Sequence, residues 1–331
     1  MSDKPPTTHK NSPAIGATAT GLLCAMGAWF MFSLNDVGIK FLSGDYALHQ
    51  IVWVRAVVGL SVTLCVLMPL EGGYRLLKTR YPLIHIVRGL CVVFANMCFF
   101  VGLASISLPE ASAIFFVAPL FITALSVVFL GETVGIRRWL AVSVGLAGVI
   151  VMLRPGSEAF QFAALLPLIA AFAYACLQIL TRKIGLKEKA STMSFYIQAV
   201  FVVVCSVFGL VFGDGRFANP GNPSIDFLFR AWVQPQQGDL LIMIGLGLSS
   251  GLGGYLVSQA YRLCEATVVA PFEYMALILA IFWGITLWGE WPDVIAWTGI
   301  FMIFSSGMFI FWREVILDKK FVIKHPMPRN R

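Results

Sequence analysis

Apolar residues in this 331-residue chain come in long runs divided by short polar stretches. Ten runs stand out, at about 15–41, 48–69, 83–104, 109–130, 137–153, 160–181, 191–213, 239–261, 266–288 and 293–312. Each is close to the roughly 20 residues needed to cross a hydrocarbon core of about 30 Å. The pattern predicts an all-α integral membrane protein of ten transmembrane helices. The polar head MSDKPPTTHKNSPA (1–14) lacks a short apolar segment followed by a cleavage site, so the first run is expected to be retained. The most polar interruption is "DGRFANPGNPSIDFLFRAWVQPQQG" (214–238), and a basic tail covers 313–331.

Composition agrees with a lipid solvent. Hydrophobic residues make up 58% of the chain and charged residues 12%, where a soluble domain carries about 25% charged. The net charge of +7 is a matter of placement. With ten spans and a cytoplasmic N-terminus, 18 basic residues fall on inward segments and four outside, namely Lys40, Arg154, Arg216 and Arg230. That is the positive-inside bias and places both termini in the cytoplasm. The excess can touch anionic lipid heads and is not a nucleic-acid footprint. The seven cysteines lie in or at the ends of the runs without a C-x-x-C spacing, which argues against disulfide frameworks and zinc sites. No cofactor is expected.

The chain also matches itself. At an offset of 158, Gly131-Glu132 falls on Gly289-Glu290 and Trp139 on Trp297. At an offset of 143, Lys40 falls on Lys183, Asn35 on Gln178, and Trp53-Val54-Arg55 on Tyr196-Ile197-Gln198. The two halves, 15–153 and 160–312, then hold five spans each. An odd number inserts the second half from the opposite side, and such inverted repeats mark many secondary transporters, whose site lies between the repeats near the midplane.

The stretches "APLFITALSVVFLGETVGIRRW" (118–139) and "APFEYMALILAIFWGITLWGEWPDVIAW" (270–297) carry a further signal. With two five-helix halves, each bearing a P…GE…W stretch, the chain resembles the EamA-type transporters of the drug/metabolite transporter superfamily. "LNDVGIK" and "HIVRGL" (85–90) resemble the S-adenosylmethionine-uptake and riboflavin-uptake groups within it. The resemblance implies a bacterial inner-membrane carrier of a small organic metabolite.

Charges inside spans are expensive and usually face a cavity or a partner. Features present in both halves read as architecture: Gly-Glu, whose Glu is expected to contact backbone or a neighbouring helix, and Lys40 and Lys183, which can snorkel. Polar residues present in one half are better substrate candidates. Asp36, Arg55 and Glu273 have Ile179, Gln198 and Phe115 as their counterparts. At about 1.5 Å per residue, Asp36 and Arg55 lie roughly 8–10 Å below one surface, and Arg88 and Glu273 at comparable depth from the other. Two charge clusters, Asp36/Arg55 and Arg88/Glu273, are therefore expected to flank a central cavity, with fixed ion pairs as the bland alternative. Asn35, Asn96, Tyr174, Gln178, Tyr196, Gln198, Tyr255, Gln259 and Tyr274 add hydrogen-bonding and stacking capacity suited to a planar polar molecule, each equally readable as inter-helix glue. Pro119 and Pro271 can kink their spans.

Gly247-Leu248-Ser249-Ser250-Gly251 matches G-x-S-x-G, which also surrounds hydrolase serines. No histidine falls at its depth to act as base, and Gly247-x-x-x-Gly251 equally permits close helix packing. An enzyme is not expected. The reading is a secondary carrier of a nucleoside-like, flavin-like or amino-acid-like metabolite, working by alternating access with uptake favoured. An amino-acid exporter and a non-transporting scaffold or sensor are the alternatives. Protons are the candidate coupling ion, through Asp36 or Glu273, and a homodimer stays open.

Overall fold

A computed structural model describes residues 13–130, 136–154, 161–184, 188, 190–263 and 274–321. Its helices are α1 (Pro13–Leu42), α2 (Leu48–Val62), α3 (Pro82–Leu103), α4 (Leu108–Phe115), α5 (Ala118–Leu130) and α6 (Ile136–Leu153), then α7 (Leu165–Ile184), α8 (Ala190–Phe212), α9 (Pro223–Phe229), α10 (Gln237–Leu263), α11 (Met275–Trp288) and α12 (Val294–Phe321). The described residues include no strand. Seven helical stretches are long and apolar enough to cross a membrane, and shorter apolar helices cover Trp139–Leu153, Met275–Trp288 and Val294–Ser306. Large apolar side chains such as Leu23, Phe30, Phe41, Leu210 and Phe301 cover the outside of the bundle, as a hydrocarbon solvent allows.

Three details depart from the sequence pattern. The fourth run is two helices, because Pro119 has no N–H for the Phe115 carbonyl four residues back and its ring would strike that carbonyl. The chain breaks at Phe116–Val117 and restarts with Leu120 N–H donating to the Val117 carbonyl at 2.9 Å. The last helix runs on to Phe321, past the expected end near 312. The 214–238 connection contains α9, which Pro223 starts and Asn222 caps, its side chain accepting from the Ser224 and Ile225 amides at 3.1 and 3.2 Å. Pro271 lies outside the described residues.

Glycines let several helices approach closely. A Cβ on Gly247 of α10 would lie 2.4 Å from Val58 Cβ and 2.9 Å from the Arg55 carbonyl of α2. The G-x-S-x-G stretch is thus a helix-packing surface. On α6 and α12, a Cβ on Gly148 would sit 3.0 Å from the Gly299 carbonyl, and one on Gly299 would sit 2.8 Å from that of Gly148.

Bonds between connections sort the two ends of the bundle. At one end, Arg230 donates to the carbonyls of Ser43 and Gly44, Tyr46 to Asp239, and Gln50 to the Val233 carbonyl. Ser105 and Ser224 share a 2.6 Å hydrogen bond there. Arg154 pairs with Asp293, and Lys40 with Glu290. At the other end Thr79 bonds to Glu188, Glu71 accepts from the Ser191 amide, and Tyr196 donates to the Leu77 carbonyl. The four basic residues expected outside therefore share one end, each beside an acid: Lys40–Glu290, Arg154–Asp293, Arg216–Asp214 and Arg230–Asp226.

Gly289 explains the second Gly-Glu pair. Its φ of +66° ends α11 in the left-handed region, which glycine enters without steric cost. That turn aims Glu290 at two groups: the Lys40 ammonium, and the Leu108 amide at 2.9 Å. The amide is an unpaired first-turn donor of α4, where a carboxylate also meets the favourable end of the helix dipole. Glu290 thus contacts backbone and a neighbouring helix as expected. The Lys40 ammonium meets Glu290 at this end of the bundle and lies over the Trp288 ring.

Candidate functional site

Arg55 is the centre of a polar cluster inside the bundle. It sits on α2 and is only 5% exposed. One terminal nitrogen, Nη1, donates to Asn35 Oδ1 of α1 at 2.8 Å, and the other, Nη2, to Asn96 Oδ1 of α3 at 3.1 Å. The Phe201 ring of α8 lies 5.2 Å from the guanidinium. Asn35 in turn donates from Nδ2 to the Leu246 carbonyl of α10 at 3.0 Å and to Ser249 Oγ at 3.3 Å. Five helices thus meet in the cluster, four of them at the guanidinium itself.

Asp36 shares the cluster without bonding to Arg55. It follows Asn35 directly in α1, yet no hydrogen bond or ion pair joins it to Arg55 among the described residues. The helix geometry decides which way it faces. At about 100° per residue, Asp36 shares a face with Ser33 and Ile39, both buried, while Phe30 and Phe41 mark the exposed side. The carboxylate therefore looks into the bundle. Ser33 on the same stripe is met by Trp283 of α11, whose Nε1 donates to it at 3.3 Å.

A second buried arginine lies nearer the opposite end. Arg88 of α3 donates from Nε to Thr181 Oγ1 of α7 at 2.9 Å, and its Nη1 lies 3.3 Å from His85 Nδ1. The His85 ring stacks on Tyr196 at 4.8 Å. Its expected partner, Glu273, lies outside the described residues.

The remaining candidates are scattered. Tyr174 and Tyr274 flank the α4–α5 break, against Phe115 at 5.4 Å and Phe116 at 5.5 Å. Tyr255 and Gln259 bond to each other at 2.8 Å, one turn apart on α10. Gln198 packs where α8 crosses α2, its Nε2 at 2.9 Å from where a Gly59 Cβ would be. Gln178 is half-buried on α7. Sequence reasoning missed Ser249 and Phe201 as members of the cluster. Ser249 stood out only as a nucleophile candidate, and its hydroxyl instead donates to the Leu246 carbonyl at 2.9 Å. A groove of about 370 Å³ between α1, α10 and α11 is lined by Val37, Gly38, Phe41, Ile242, Leu287 and Trp288. It is apolar and separate from the charges. Among the described residues no group of three or more His, Cys, Asp or Glu side chains is placed to hold a metal ion.

An apolar helical bundle with a buried polar centre is the architecture of a membrane protein. Residues 19–154 match the EamA-like transporter family. The chain is 29% identical to the S-adenosylmethionine uptake transporter of Rickettsia bellii, over 86% of this chain and 93% of that protein. It is 27% identical to the riboflavin transporter of Vibrio cholerae, over 88% and 92%, and 26% identical to a pseudopaline exporter of Pseudomonas aeruginosa, over 85% and 92%. A solved structure titled "Crystal structure of protein" shares the fold at a TM-score of 0.59, with 16% identity over 88% of this chain and 95% of that one. The likeness to the EamA-like transporter family spans residues 19–154 and that to the named transporters most of the chain, and these similarities point to a transporter rather than an enzyme.

Proposed function

We propose that the protein is a secondary carrier that takes up a small polar organic metabolite across a bacterial inner membrane by alternating access. The observation that carries this is the Arg55 cluster. Three of its helices, α1, α2 and α3, precede the midpoint of the chain and two, α8 and α10, follow it. A site shared in this way changes when one half rocks against the other.

The helix pairing supports two inverted five-span repeats, 15–153 and 160–312. Exchange α1 with α7, α2 with α8, α3 with α10, α4–α5 with α11, and α6 with α12. The packing of α1 on α10 then becomes that of α7 on α3, and that of α2 on α10 becomes that of α8 on α3. The packing of α5 on α7 becomes that of α11 on α1, while α2–α8, α4–α11 and α6–α12 map onto themselves. The balanced charges at the Lys40–Glu290 end suit an outward face, with both termini in the cytoplasm.

In this reading Asn35, Asp36, Arg55 and Asn96 contact the substrate, and Arg88 with Glu273 serves the inner side. Asp36 or Glu273 takes a coupling proton. The remaining tyrosines and glutamines line the route. The pseudopaline exporter among the relatives favours one second reading, export of an amino-acid-like metabolite. Uptake into proteoliposomes of a labelled metabolite panel, with and without a pH gradient, tests both. Saturable flux accelerated by the gradient is expected. Counterflow indifferent to pH would replace the symport by exchange, and no flux of any compound would return the scaffold alternative.

A further inference from the structure

The Asp36 and Arg55 side chains differ from the other acid–base neighbours in one respect: they are left open. Lys40–Glu290, Arg154–Asp293, Arg216–Asp214 and Arg230–Asp226 all close into ion pairs. Arg55 instead rests on two neutral amide oxygens, which hold its plane and leave its charge without a bonded counter-ion among the described residues. Its Nε–H has neither a partner nor access to water. Leaving a donor buried and unmade is costly, more so when it is charged, so a purely structural arginine would be expected to turn to the carboxylate near it. Asp36 faces inward with no bond of its own among the described residues. About two turns back along the same stripe, the Trp29 Nε1–H is also buried and unpartnered.

We propose that the two open charges are the two ends of a receptor for a zwitterion. Arg55 takes a carboxylate side-on, through Nε–H and the adjoining Nη–H, in the forked geometry that guanidinium offers. Asp36 takes an ammonium or sulfonium group. Asn35 and Asn96 are positioning residues that fix the guanidinium plane, and Phe201 closes its other side. The cargo is then an amino acid or a molecule carrying an amino-acid head. A neutral flavin would leave both charges unserved, and a simple anion would leave Asp36 unserved. This inference rests on the carrier reading and narrows its substrate class.

The test uses the full chain in proteoliposomes and four labelled probes: an amino-acid mixture, S-adenosylmethionine, its decarboxylated analogue, and riboflavin. The first two carry both charges, the analogue has lost the carboxylate, and riboflavin has neither. Wild-type protein is expected to move at least one zwitterionic probe, with the analogue and riboflavin at least 10-fold weaker as substrates and competitors. Arg55→Gln is expected to remove the preference for the carboxylate, and Asp36→Asn the preference for the cationic group. Riboflavin moved as well as or better than every zwitterion would overturn the inference and leave the carrier standing. So would a carboxylate preference that survives in a monodisperse Arg55→Gln protein. If that variant does not fold, the wild-type competition series decides alone. No flux for any probe would remove the carrier reading, and this inference with it.

Discussion

At Gly247 the α2–α10 contact leaves no room for a methyl group, whereas Gly245, half a turn away on the same helix, has nothing within 4 Å of its would-be Cβ. Gly247→Ala is therefore expected to lower the thermal unfolding midpoint in detergent, on the scale of about 1–3 kcal/mol for overpacking, while Gly245→Ala leaves it unchanged or raises it, since alanine favours the helix over glycine. Equal midpoints would mean that the two helices are farther apart than described. Gly289 is limited by its backbone instead: its φ is +66° with no neighbour within 4 Å. Gly289→Ala should cost about 1 kcal/mol from the left-handed conformation alone. Single residues were legible in the sequence where they broke a local rule. Asn35, Asp36 and Arg55 stood out because polar groups inside apolar runs are costly. Ser249 was not legible as their partner, because the sequence does not say which residue faces it across the bundle. Glu290 was readable as a structural group, but its bond to Lys40 joins positions 250 residues apart.

Helix ends show how an element is held by its neighbour. α6 stops at Arg154, a residue with φ of +47°, and that side chain reaches Asp293. Asp293 in turn caps α12 by accepting from the Ala296 amide at 2.8 Å, a common role for Asp at the first turn. The Arg154 hydrogen bond, helped by that amide, holds the Asp293 carboxyl below its usual value of 3.8. A depressed carboxylate contributes stability above its unfolded value and loses it as pH falls through the folded one. The contribution should therefore be constant at neutral pH and fade below about pH 4. Asp293→Asn is expected to remove that acid-side slope while changing the neutral-pH midpoint little, since both groups are partly solvated. A melting-temperature profile between pH 3 and 7 checks it; a slope near pH 6 would point to another group. The break before α5 follows from Pro119 by elementary sterics. The length of α12 and the presence of α9 do not follow so simply, because charged and loop-like residues can continue or start a helix when local caps permit.

On the scale of the whole molecule, Lys40–Glu290 ties α1 to the end of α11, across the two proposed repeats. If those bodies rock, this tie must open once in each cycle. A Lys40→Cys/Glu290→Cys protein lacking the seven native cysteines is expected to lose at least 10-fold in uptake when oxidised and to regain it on reduction. Full uptake in the cross-linked state would show that this end stays shut or that the repeats move as one body.

The end of the bundle that holds this tie has a consequence for how solutes arrive. Its four cations are matched one for one in ion pairs, and Asp45, Glu110 and Asp239 there form no ion pair of their own among the described residues, so the described part of the mouth carries a surplus of negative charge. Such a field gathers positive solutes from beyond contact range and is indifferent to uncharged ones. Its reach shrinks from about 30 Å to about 8 Å between 0.01 M and 0.15 M salt. Dilute buffer should thus hasten the arrival of a cation-bearing molecule at this mouth and do nothing for a neutral one.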